Sequence, residues 1–181
     1  MYGMIHQALR GMAVRRIGDP AWTAVLREAG FTQPLFIGME YYADDTTMAL
    51  VRLLAARLGM SCDELLHEFG RVWIDFAGAS GYGRVLRMAG DDLVTFLDCL
   101  DRMHSSIHSN MPLAQMPSFE LIAADPATIE LSYRSGRQGL EPFVRGILLS
   151  VAERFGETVT IDHVPQDGGA RFFIRRMAAH G

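Results

Sequence analysis

The chain has 181 residues, 49% of them hydrophobic, which is enough to bury a full core within one domain. Its 21 acidic residues outweigh 17 basic ones for a formal charge of −4, every basic residue is Arg, and no basic stripe stands out. Neither nucleic acid nor an anionic membrane is therefore expected as the main partner.

Cys62 and Cys99 do not form a Cys-x-x-Cys pair, which argues against a thiolate zinc site, an iron–sulfur cluster or a disulfide scaffold within the chain. Met1-Tyr2-Gly3-Met4-Ile5-His6 lacks the features of a secretory signal, and Gly is not at position 2, so myristoylation is not expected. No apolar run approaches the ~20 residues needed to span a bilayer. A soluble, cytoplasmic chain is expected.

Residues 1–110 read mostly as amphipathic helices, punctuated near Gly18-Asp19-Pro20, Thr32-Gln33-Pro34, Gly59-Met60-Ser61 and Gly78 to Gly83. Asp44-Asp45-Thr46-Thr47 reads as a capping cluster ahead of Met48–Leu54. Ser61-Cys62-Asp63-Glu64 has the spacing of a capping box. From Asp92 onward, Leu93, Phe96, Leu97, Leu100, His104 and Ile107 recur at three- and four-residue intervals, the stripe of a single helix.

Beyond Pro117 the period changes. Phe119–Ala123 and Thr128–Tyr133 flank an Asp125-Pro126 turn, a helix follows from about Glu141 to Phe155, and Thr158–Val164 and Arg171–Arg175 bracket Gln166-Asp167-Gly168-Gly169. The expected class is α+β, with helices first and a small antiparallel sheet carrying one helix.

Two clusters carry chemistry. The stripe turns the His104 imidazole inward, where an unbonded ring nitrogen costs stability; it is either a core histidine bonded to a backbone carbonyl or an axial ligand to a haem iron. Tyr133, Ser135 and Arg137 alternate, so on an extended backbone they leave from one face. They are either a solvated strand face or a set of donors for a carboxylate or phosphate.

Together these residues bring in a family. Leu100-Asp101-Arg102-Met103-His104-Ser105-Ser106-Ile107, followed by the Tyr-x-Ser-x-Arg of residues 133–137, resembles the haem-nitric-oxide/oxygen-binding (H-NOX) domains, which include the sensor domain of soluble guanylate cyclase. The resemblance extends to Met1–Ile5, Gly38–Asp45, Glu64-Leu65-Leu66 with Phe69-Gly70 and Trp73, Gly81-Tyr82-Gly83 and Gly139–Pro142.

The resemblance implies a helical part over about 1–65 and a haem-ligating and sheet part over about 66–181, with haem b between them. His104 would be the proximal ligand, Tyr133, Ser135 and Arg137 would bind the propionates, and Pro117 would pack against the porphyrin. No covalent attachment is expected, because Cys-x-x-Cys-His is missing. Ile5, Leu9 and Trp73 would line the gas side. In oxygen-binding relatives a tyrosine on the helix after the motif donates to the ligand; here Phe143 takes that place, or Pro142 if the spacing differs by one. Neither donates, so nitric oxide is the expected ligand, oxygen is excluded, and carbon monoxide binds more weakly. Trp73 carries an indole N–H but is expected to act mainly as apolar bulk.

The resemblance further implies a bacterial, monomeric, non-enzymatic sensor. Nitric oxide would weaken the iron–histidine bond, and release of His104 would signal to a separate protein such as a histidine kinase or a cyclic-di-GMP enzyme.

Three rivals remain open from the residues. Asp101, His104 and His108, at i, i+3 and i+7, could form a zinc or iron shell. A peroxidase-like haem enzyme would need a distal acid or base, for which His6 is the histidine at hand, although next to Ile5 it should face the other way. A haem-free regulatory module could bind an acidic ligand at Tyr133, Ser135 and Arg137. His67 and His163 are expected on solvated faces and His180 in a loose tail, Met88 and Met103 in the core, and Cys99 as a small buried hydrophobe.

Overall fold

The computed structural model describes residues 1–33, 35–109, 111 and 113–177. His180 and Pro34 therefore lie outside the described residues.

The chain runs α1 (Gly3–Glu28), α2 (Asp44–Leu58), α3 (Cys62–Ala79), α4 (Gly83–Met88), α5 (Leu93–Asp98), α6 (Leu100–His108), β1 (Ser118–Ala124), β2 (Thr128–Arg134), α7 (Glu141–Arg154), β3 (Val159–Gln166) and β4 (Gly169–Arg176). The four strands form one antiparallel sheet in the order β1-β2-β4-β3. This is the α+β arrangement expected. Asp125 makes the first turn by accepting the N–H groups of Ala127 and Thr128 at 2.7 Å each.

The helix breaks fall where the sequence puts them. Gly18 interrupts α1 with a φ of 76°, and Gly59 ends α2 in the left-handed conformation. Ser61 and Glu64 form the reciprocal capping box of α3. Asp44–Thr47 differs from expectation. These residues lie inside α2, whose N-cap Ala43 makes no side-chain bond, and the Asp44 carboxylate is drawn away to Met1 and Arg137. The stripe from Asp92 also divides: Asp92 caps α5, and Cys99 separates α5 from α6.

Two buried clusters result. Leu50, Leu54 and Leu65 centre one among α1, α2 and the start of α3; Leu93, Phe96, Leu131 and Phe172 belong to the other, between the sheet, α5 and α7. Helix α3 joins both, through Leu66 and Phe69 in the first and Ile74 and Ala77 in the second. The boundary expected near residue 65 falls inside it. Helices α3 and α7 cross backbone to backbone: a Cβ at Gly70 would stand 2.1 Å from the Phe143 carbonyl oxygen, and one at Gly146 2.1 Å from that of His67. Met88 is not core but 75% exposed, at the end of the short α4. His67 is half-buried rather than solvated, whereas His163 is exposed. Cys99 is buried and Met103 packs on the second core, both as expected.

Candidate functional site

One apolar cavity opens between the two clusters, and its lining includes Ile5, Leu9, Trp73, His104, Pro117, Tyr133, Ser135, Arg137 and Phe143, all nine residues singled out in the sequence. They come from five separate elements and two loops. Pro142, the alternative to Phe143, is not among the lining residues.

His104 enters from α6. Its Nδ1 lies 3.2 Å from the Pro117 carbonyl oxygen. A carbonyl only accepts, so Nδ1 carries the proton and Nε2 keeps a lone pair. Burial lowers the pKa of His104, outweighing the opposing pull of the Pro117 bond and the Asp101 charge, and so favours the neutral ring. Among the described residues nothing hydrogen-bonds Nε2. A neutral imidazole, oriented through one nitrogen and free at the other inside an apolar cavity, has the chemistry of a metal ligand.

Asp101 and His108 do not join His104 around an ion. Asp101 accepts the Phe119 N–H at 2.7 Å, and His108 Nδ1 donates to the Ala114 carbonyl at 3.1 Å. The described residues contain no group of three or more His, Cys, Asp or Glu side chains able to hold a metal, so the zinc-shell reading is set aside.

Phe143, on α7, stacks on Phe69 at 5.0 Å, and Trp73, on α3, meets Phe69 edge-on at 6.2 Å and stacks on Phe76 at 5.9 Å. With Ile5 and Leu9 of α1 they make an aromatic and aliphatic wall. Trp73 N–H is its polar exception, and no described residue accepts from it. His6 points the other way, fully buried against Phe36 and bonded to Thr47, so it supplies no acid or base to the cavity.

The polar end differs from a solvated strand face. Strand β2 ends at Arg134, so Ser135 and Arg137 reach the cavity from the following loop rather than from an extended strand. Tyr133 is 2% exposed; burial raises its pKa, against the opposing effect of the neighbouring Ser135 side chain. Ser135 Oγ accepts the Arg137 backbone N–H at 3.0 Å.

Arg137 binds Asp44 through Nε at 2.7 Å and Nη2 at 3.3 Å, and the Gln115 carbonyl through Nη1 at 2.6 Å. Burial pulls the Asp44 carboxyl upward, but the bonds and charges of Arg137 and the Met1 amine outweigh it and hold it below the usual range. This partner was not singled out in the sequence.

An apolar cavity lined by an imidazole with a free Nε2 and, at its polar end, by an arginine, a phenol and a hydroxyl suits an amphipathic, iron-bearing planar group with acidic arms. The apolar body meets the aromatic wall and the arms meet the donors.

Comparison with known proteins agrees with this geometry. Residues 2–163 match the family described as Haem-NO-binding. The soluble guanylate cyclase gcy-35 of Caenorhabditis elegans is 31% identical over 173 residues, covering 92% of this chain and 25% of that protein. The chain thus spans about a quarter of that relative's length. Among solved structures, an H-NOX protein from S. oneidensis in the Fe(II)NO ligation state superposes with a TM-score of 0.88 at 19% identity, covering 98% of this chain and 99% of that one. An oxygen-binding H-NOX domain related to soluble guanylate cyclases, in its oxygen complex, reaches a TM-score of 0.78 at 20% identity, covering 97% and 94%. The fold is therefore shared by nitric-oxide-ligated and oxygen-ligated proteins, and gas choice must be sought in side chains.

Proposed function

Because the chain belongs to the Haem-NO-binding (H-NOX) family of haem-binding gas-sensor domains, we propose that it is a nitric oxide sensor that holds haem b without a covalent bond and excludes oxygen. The observation that carries this reading is the His104 tautomer: Nδ1 is spent on the Pro117 carbonyl, which leaves Nε2 to ligate. Tyr133, Ser135 and Arg137 would hold the propionates, and Pro117 would pack against the ring.

Ferrous haem held by His104 would supply a position open to a gas, and His104 would be the residue let go when nitric oxide binds. The chain decides which gas stays. Bound oxygen gains from a donor aimed at it, and a hydrogen bond to a charged group is worth ~1.5–3 kcal/mol, a roughly ten- to hundredfold change in affinity. Phe143 provides no such donor, and Ile5 and Leu9 add only bulk. Trp73 is wedged among three aromatic rings, which supports its role as apolar filling. Carbon monoxide would bind more weakly than nitric oxide.

If His104 is let go, its ties are to the Pro117 carbonyl and the Phe119 ring, so α6, the loop ahead of β1 and the start of β1 would move together relative to α1 and α3. That is a two-state element biased by a ligand. Output would pass to a separately encoded partner, such as a histidine kinase or a cyclic-di-GMP enzyme, from a monomeric cytoplasmic domain with no enzymatic activity of its own. No helix among the described residues is long and apolar enough to cross a membrane.

An absorption spectrum of the reduced protein tests this. A five-coordinate ferrous spectrum unchanged by air and altered by nitric oxide is expected. An oxygen complex in air refutes the exclusion, and absence of a Soret band refutes the haem reading.

A further inference from the structure

Among the described residues, the Asp44–Arg137 pair is the one ion pair joining the α1–α2 unit to any segment beyond α3. It stands at the polar end of the cavity with both side chains largely shielded, at 30% and 16% exposure. Asp44 occupies the edge of the guanidinium formed by Nε and Nη2, and the Gln115 carbonyl takes one N–H of Nη1. Arginine has five N–H groups, so one remains on each terminal nitrogen, enough for one further carboxylate.

The geometry points to Asp44 as a positioning residue for the cofactor's acidic arm: it fixes the Arg137 guanidinium at the cavity rim with its two unspent N–H groups available. This rests on the haem reading above and deepens it. Without Asp44, Arg137 keeps only the Gln115 carbonyl and the freedom of a long side chain, and much of its grip on a propionate goes into ordering itself. Simple electrostatics predicts the opposite. A carboxylate at the rim repels an acidic arm, so removing it would tighten retention.

The direction of change therefore decides. Haem transfer from the purified holoprotein to excess apomyoglobin is measured for wild type, Asp44→Ala, Asp44→Asn and Arg137→Ala, with thermal melts to confirm folding. Asp44→Ala is expected to release haem roughly tenfold faster, Asp44→Asn somewhat less so, and Asp44→Ala to add little in an Arg137→Ala background. Reconstitution with haem dimethyl ester, which lacks the acidic arms, separates positioning from general loosening. There wild type and Asp44→Ala should release at the same rate.

Unchanged or slower haem loss in Asp44→Ala overturns the inference, as does equal acceleration with the ester. A wild type that binds no porphyrin defeats the sensor reading together with this one. A wild type that binds haem, paired with an indifferent Asp44→Ala, defeats this one alone.

Discussion

Lowering the pH should destabilise the protein through His6. The ring is fully buried, stacked on Phe36 at 4.5 Å, with Nε2 3.0 Å from Thr47 Oγ1. Thr47 spends its own hydroxyl proton on the Ala43 carbonyl, so the imidazole donates to Thr47 through Nε2 and is neutral. Burial, aided by the nearby Met1 amine and opposed by the neighbouring Tyr2 backbone and the Asp44 charge, lowers its pKa from 6.5 to about 4, and among the described residues Nδ1 has no hydrogen-bond partner to hold a second proton. The unfolded chain takes up this proton near pH 6.5 and the folded chain only near pH 4, so stability is complete above 6.5 and falls as pH drops between those values. Linkage puts the loss at about 2 kcal/mol by pH 5 and about 3 kcal/mol by pH 4. Denaturant unfolding of wild type and His6→Gln at pH 8, 6 and 5 measures it. His67 and His104, whose pKa values burial also lowers, contribute in the same direction but cancel in the difference between the two proteins. If His6→Gln loses stability with acid as steeply as wild type, the buried-neutral assignment is wrong.

Three further outcomes follow from the same geometry. Phe143→Tyr should place a donor in the cavity and raise oxygen affinity by roughly ten- to hundredfold, read as an oxygen complex in air that wild type does not form. His104→Gly supplied with free imidazole should keep haem, while the hydrogen exchange of α6 no longer changes with nitric oxide; an unaltered exchange response rules out the tether. Gly146→Ala forces a Cβ to 2.1 Å from the His67 carbonyl oxygen, so α3 and α7 must part, at a cost of about 1–3 kcal/mol or more seen as a lowered melting temperature.

Much of the fold is legible locally because its signals are local. The Ser61–Glu64 box, the two hairpins and the helix from about Glu141 each follow from residues within a turn or two of one another. The orientation of His6 is legible for the same reason, since neighbours on a helix point about 100° apart and Ile5 takes the cavity side. What escapes is set by distant partners. Asp44 has the composition of a cap, but Arg137, 93 positions away, claims its carboxylate. A glycine inside a helix pattern does not reveal which other helix it must admit, so Gly70 and Gly146 read as ordinary until α3 and α7 are seen to cross. The break at Cys99 escapes because that residue keeps right-handed helical angles, and the apolar stripe runs on across it.

The spacing of Asp101, His104 and His108 gives the most instructive ambiguity. One face of α6 does gather a carboxylate and two imidazoles, as a metal shell would require, but each spends itself on the chain that runs from Ala114 into the start of β1: Asp101 on the Phe119 N–H, His104 on the Pro117 carbonyl, His108 on the Ala114 carbonyl. Polarity distinguishes the two readings. A metal shell needs three lone pairs converging on one point, whereas here one side chain accepts and two donate, to backbone groups successive along one strap. The strap leaves each imidazole Nδ1-protonated, and only His104 lines the cavity with its Nε2 free. A spacing that suggests three ligands therefore yields one imidazole with a free lone pair in the cavity and two fasteners. The fasteners serve that imidazole, because the strap they hold in place is the one whose Pro117 carbonyl orients His104.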